Sequence, residues 1–226
     1  MVGGVAGRDE ELAAVGVFLD RVPHGLAALA IEGESGIGRT TLWRAATAEA
    51  ARRGYLVLTA RPAGPEAGLS FAGLADLLAP VGLDRLPAPQ RRALEVALLG
   101  AEAEEPVPDR RAVPAAVLSV LRELSRERPV LVAVDDAHFL DAPTARALEF
   151  AARRLSAEAV GFLVSVRLGP EGRPRSVEQT AEEDRAVILR LLGRPGPPAR
   201  TFEQSVDEDR AVRLRLDRSA PTACTG

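Results

Sequence analysis

The feature that most narrows what this chain can fold into is the run Gly33-Glu34-Ser35-Gly36-Ile37-Gly38-Arg39-Thr40-Thr41. Before it, Leu26 to Ile31 is an unbroken apolar stretch of strand length. After it, Thr40 to Arg53 is rich in alanine and sets Leu42, Trp43, Ala46 and Ala50 on one side of a helix, with Gly54 as its stop. Strand, glycine-rich bend and helix in that order are the setting of a phosphate-binding loop, or P-loop. Gly33, Gly36 and Gly38 let backbone amides turn inward around a polyphosphate, and the helix start adds partial positive charge. The candidate nucleotide contacts are therefore Gly33, Glu34, Ser35, Gly36, Ile37, Gly38, Arg39, Thr40 and Thr41, with the Thr40 hydroxyl placed to hold Mg2+.

One residue departs from the pattern G-x-x-x-x-G-K-[ST]. Arg39 stands where a lysine is expected, in a chain whose 29 basic residues are all arginine. A guanidinium keeps the charge but is planar, larger and differently aimed, so phosphate binding is expected to survive better than hydrolysis.

The second half of the expected site is Pro129-Val130-Leu131-Val132-Ala133-Val134, a buried strand ending in Asp135 and Asp136. In this arrangement Asp135 holds Mg2+ through water, and Asp136 orients or deprotonates the attacking water. A carboxylate pair at a strand end is by itself an ordinary turn. The P-loop roughly a hundred residues earlier, in the correct order, favours the functional reading. Arg167 closes the next strand, Val160 to Val166, on the same edge, where it is placed to sense a terminal phosphate. His138 lies close to the carboxylates, and as a loop histidine a structural hydrogen bond is its simpler role. The two histidines, His24 and His138, occupy unrelated positions, and the single cysteine, Cys224, can form neither an intrachain disulfide nor a cysteine metal cluster.

Around these motifs, helices are expected over Arg8 to Asp20, Phe71 to Leu78, Gln90 to Leu99, from Pro114 onward, and after Asp141, which can cap a helix carrying Pro143 in its first turn. Alternating strands and helices imply an α/β fold: a three-layer P-loop NTPase sandwich with a mainly parallel, five-stranded sheet. The expected division is a P-loop domain over 1–168, a last strand near Ala186 to Leu192 within 169–194, and an irregular or disordered tail over 195–226. The net charge of −3 excludes a globally basic surface, and 4% aromatic residues disfavour a base-stacking platform for single-stranded nucleic acid. No apolar run is long enough to span a bilayer, and cysteine usage suits a reducing cytoplasm.

Several linked segments resemble one family. They are Gly7-Arg8-Asp9-Glu10-Glu11-Leu12, Gly33 to Leu42, Pro65-Glu66 to Leu78 with Phe71, Glu127-Arg128-Pro129 to Leu140-Asp141, and Ala151-Ala152-Arg153-Arg154-Leu155. Together they are similar to the nucleotide-binding domain of large ATP-binding LuxR-type regulators, MalT-like members of the STAND branch of AAA-related ATPases. The resemblance implies a switch between ATP and ADP states, with Mg2+, and makes Gly7 and Arg8 base-side contacts. If ATP is hydrolysed, phosphoryl-transfer chemistry makes Asp136, Arg39 and Arg167 the expected catalytic set, and a protein partner or self-association is expected. The lid, winged helix, sensor repeats and DNA-reading helix-turn-helix of a full regulator are not recognisable in this sequence. The competing readings are a stand-alone ATPase and a degenerate interaction domain that does not hydrolyse ATP.

Overall fold

A computed structural model describes residues 8–99, 112–167 and 211–216. Its helices are α1 (Asp9–Arg21), α2 (Arg39–Arg52), α3 (Ala72–Leu78), α4 (Ala88–Leu99), α5 (Ala112–Ser125) and α6 (Ala142–Ala152). Its strands are β1 (Ala27–Gly33), β2 (Leu56–Ala60), β3 (Val130–Val134), β4 (Val160–Arg167) and β5 (Ala211–Leu216). All pairings are parallel, in the spatial order β2-β3-β4-β1-β5.

Each central strand is apolar on both faces, and its alternate residues enter different cores. On one side Ala28 and Ala30, Val132 and Val134, and Phe162 and Val164 pack with Leu74 and Leu77 of α3, Leu94 of α4, Leu121 of α5 and Leu148 of α6. On the other, Leu29 and Ile31, Leu131 and Leu163 pack with Phe18 and Leu19 of α1 and Leu42 and Trp43 of α2. Helices on both faces of a parallel sheet make the α/β, three-layer arrangement that near-continuous apolar strands require.

Register places the chemistry. Because β4 runs between β1 and β3, Gly33 lies opposite Arg167 and Val134 opposite Val164. The C-terminal ends of β1, β3 and β4 therefore share one edge, where ligands gather in open α/β sheets.

Two expectations change at the other margin of the sheet. Residues 27–167 supply four strands, and the expected strand over Ala186–Leu192 lies outside the described residues. The strand found beside β1 is Ala211–Leu216, inside the stretch expected to be irregular. The physical reason is a period of two: Val212, Leu214 and Leu216 alternate with Arg213 and Arg215. Pairing with β1 satisfies a row of backbone groups that an edge would leave open.

Candidate functional site

The bend after β1 is shaped by two left-handed residues, Gly36 at φ 78° and Gly38 at φ 97°, a region that costs other residues strain. Gly38 is also the N-cap of α2 and offers no capping side chain, so the first N–H groups of this 14-residue helix are left for an external acceptor. Glu34 and Ser35 are exposed at the turn, Ile37 folds partly inward, and its amide donates to the Glu34 carbonyl at 3.4 Å. Thr40 is partly buried on the inner side, whereas Thr41 faces solvent.

Across the sheet edge, Asp135 is only 3% exposed. Its Oδ1 accepts from Ser165 Oγ at 2.6 Å and from Thr40 Oγ1 at 3.4 Å. The P-loop hydroxyl and the strand-end carboxylate, distant in sequence, thus converge on one point. Arg61, directly after β2, brings Nε to 3.8 Å from Asp135 Oδ2. Arg61 also lines a cleft of ≈ 310 Å³ on the β2 side of the acidic pair, with Gly64, Asp136 and Phe139 among its other walls.

Asp136 adopts φ 48° and ψ 51°, unusual for a residue with a side chain. Its amide donates to Ser165 Oγ at 2.8 Å, so one buried hydroxyl ties both aspartates to β4. Arg39 is 8% exposed and reaches over the site, its Nη2 lying 3.1 Å from Asp136 Oδ1. The pair meets at ion-pair distance without an aligned hydrogen bond, and both Arg39 Nη1 and Asp136 Oδ1 are buried without a hydrogen-bond partner. His138 Nδ1 stands 3.9 Å from the same oxygen. Burial pushes the His138 pKa down, the Asp136 charge opposes that shift, and the Arg39 and Arg167 charges reinforce it.

The structure therefore brings together Gly33 to Thr40, Asp135, Asp136 and the end of β4 that carries Arg167. Arg8 lies against the outside of the bend, its guanidinium donating to the Ile37 carbonyl. Gly7 lies outside the described residues. Sequence reasoning missed Ser165 and Arg61. Ser165 is a polar residue in an otherwise apolar run and could have been marked on that ground; Arg61 follows a strand without any local distinction.

Thr40 and Asp135 fit a Mg2+ ion in chemical type, as a hydroxyl and a buried carboxylate whose oxygens converge. Among the described residues no group of three or more His, Cys, Asp or Glu side chains could enclose a metal.

A family model described as AAA ATPase domain matches residues 4–165. The chain belongs to the AAA ATPase domain family. Solved structures similar to this AAA domain include AMPPCP-bound DnaA from Aquifex aeolicus, with 16% identity, TM-score 0.47, 95% of this chain covered and 48% of that one. Others are Drosophila ORC bound to DNA, at 18% identity, TM-score 0.45 and coverage of 76% and 42%, and the Walker-type ATPase of Pyrococcus abyssi, at 14% identity, TM-score 0.45 and coverage of 94% and 53%. The AAA domain thus spans about half the length of these chains. No curated protein matches it significantly. Among the described residues no helix is long and apolar enough to cross a membrane.

Proposed function

We propose that this AAA domain binds ADP or Mg·ATP as a regulatory switch module of the LuxR-type, STAND-like kind, acting in the cytoplasm on a protein partner or a second copy of itself, and that it hydrolyses ATP weakly. The observation that carries this reading is the approach of Thr40 to Asp135 at 3.4 Å across a bend whose helix start is uncapped. In this reading the amides from Gly33 to Thr41 and the start of α2 hold the phosphates. Thr40 and Asp135 hold Mg2+, which when bound neutralises charge on the terminal phosphates. Asp136 orients water, and Arg167 stands at the phosphate end.

Weak hydrolysis follows from Arg39. Its guanidinium lies 3.1 Å from Asp136 Oδ1, on the group that must be free to position water. A triphosphate has to draw Arg39 away and leave Asp136 unpaired beside further negative charge. The same contact favours a second reading, an AAA domain that binds nucleotide without turning it over. Calorimetric titration of ADP and Mg·ATP into the parent and Arg39→Lys tests the binding. Saturable binding to both is expected, and none at millimolar nucleotide overturns the proposal. Phosphate release by the same two proteins separates slow hydrolysis from none.

A further inference from the structure

His138 is set beside the acidic pair by a turn whose backbone is pinned. The Asp136 amide donates to Ser165 Oγ at 2.8 Å, and its carbonyl accepts from Phe139 N at 2.9 Å. The Ala137 carbonyl accepts from Leu140 N at 3.2 Å. Asp136 and His138 therefore ride on one short turn, Ala137–Phe139, that is tied to β4. The His138 ring leans on Phe139, with centroids 4.1 Å apart. Only side-chain torsions are left to move.

A loop histidine is expected to make a structural hydrogen bond, and at Nδ1 His138 makes none. That nitrogen is buried without a partner among the described residues, and so is Asp136 Oδ1, 3.9 Å away. A buried donor and a buried acceptor each cost stability when left unmatched. This complementary pair stands about 1 Å too far apart to bond. Asp136 Oδ1 is also the oxygen that Arg39 Nη2 approaches, at 3.1 Å. Two groups thus face one oxygen, one on the long side chain of a separate helix and one on the turn that carries the carboxylate itself. Burial favours the neutral imidazole, which has one N–H to give.

We infer that Arg39 and His138 are alternative partners of Asp136: when a polyphosphate draws the guanidinium off, the imidazole closes on Oδ1 through an Nδ1 hydrogen, and Oδ2 is left to orient water. His138 is then a positioning residue for the reaction. This rests on the nucleotide reading above and adds the group that takes the place of Arg39. A neutral ring supplies a hydrogen bond but no charge, so turnover stays slow.

The chain has two histidines, and exposed His24 serves as an internal control. Imidazole proton–nitrogen correlation spectra of the isotope-labelled full chain, at about pH 8 where histidine is neutral, compare the parent with Arg39→Met, alone and with Mg·AMPPCP. Thermal melting checks folding. A slowly exchanging, downfield Nδ1 proton on His138 is expected in Arg39→Met without ligand, and in the parent only with Mg·AMPPCP. Asp136→Ala should abolish it, and His24 should not change. In phosphate release, His138→Gln should be about tenfold slower than the parent, and His138→Asn, whose amide nitrogen falls near the place of Nδ1, should recover part of the loss. The inference is overturned if neither Arg39→Met nor the parent with Mg·AMPPCP shows that proton, if Asp136→Ala keeps it, or if a parent that hydrolyses ATP loses nothing in His138→Gln. A parent that binds no Mg·AMPPCP while Arg39→Met shows the proton sinks the nucleotide reading and leaves the exchange standing. A parent that binds it, with His138 unchanged in both proteins, does the reverse.

Discussion

Asp136 and Asp141 lie five residues apart after β3, and their surroundings are opposite. Asp141, 2% exposed, accepts three backbone N–H bonds: from Phe71 and Thr144 at 2.9 Å each on Oδ1, and from Gly73 at 3.0 Å on Oδ2. It caps α6 and at the same time ties down the start of α3, where Phe71 holds a left-handed φ of 63°. Asp136 holds a strained backbone, a cation with no aligned hydrogen bond and a buried oxygen without a partner. The first carboxylate is committed to the fold through both of its oxygens. The second is left incomplete, which costs stability and keeps the site receptive.

The sharpest way to break this contrast is Asp141→Ala, which leaves three backbone donors unmatched, two of them buried. A loss of about 3 kcal/mol, or roughly 6–12 °C in Tm, is expected. Chemical denaturation and melting measure it, and a loss under about 1 kcal/mol would mean that Asp141 is not the anchor described.

Ser165→Ala comes next. It removes a hydroxyl that donates to Asp135 and accepts from the Asp136 amide, so about 1–2 kcal/mol should be lost. Unlike Asp141→Ala, it should also shift the Mg2+ concentration needed for nucleotide binding, because Asp135 loses its nearest partner. An unchanged Mg2+ dependence would make Ser165 purely structural.

Arg39→Lys is expected to change stability by less than about 1 kcal/mol, because charge and burial are kept. Turnover should rise about tenfold, equivalent to ~1.4 kcal/mol of barrier, as the flexible ammonium releases Asp136 more readily. Steady-state phosphate release decides it. If Arg39→Lys is no faster than the parent and Asp136→Asn has no effect, the catalytic assignment fails.

The smallest effect concerns His138. Its pKa in the folded domain lies below the ordinary 6.5, mainly through burial. The unfolded chain therefore takes up the proton first. The stability associated with neutral His138 is fully present above pH 6.5 and is lost as pH falls toward the lowered value. Stability measured along a pH series should decline less steeply on the acid side in His138→Gln than in the parent, and identical slopes would remove His138 from the site's electrostatics.

What could be read without coordinates was whatever a local rule encodes. The P-loop, the apolar strands and the Asp141 cap each follow from spacing within one short segment. What could not be read depends on register between distant strands. Ser165 meets both aspartates only because β4 lies beside β3, and Asp141 reaches Phe71 and Gly73 only because α3 packs against the start of α6. The segment Glu183-Asp184-Arg185-Ala186-Val187 recurs as Glu208-Asp209-Arg210-Ala211-Val212, and the continuous apolar run of the earlier copy favours a strand there. In the later copy Val212, Leu214 and Leu216 alternate with Arg213 and Arg215, a period-two signal set among charged residues.

That last strand bears on any attempt to produce a shorter protein. Without Ala211–Leu216, the backbone of β1 from Ala28 to Gly33 becomes an open ribbon margin, and Gly33 loses the Leu216 packing beside it. A fragment trimmed at residue 168 would thus present the very segment that carries the P-loop as a template for intermolecular pairing, and would be prone to stick to its own copies.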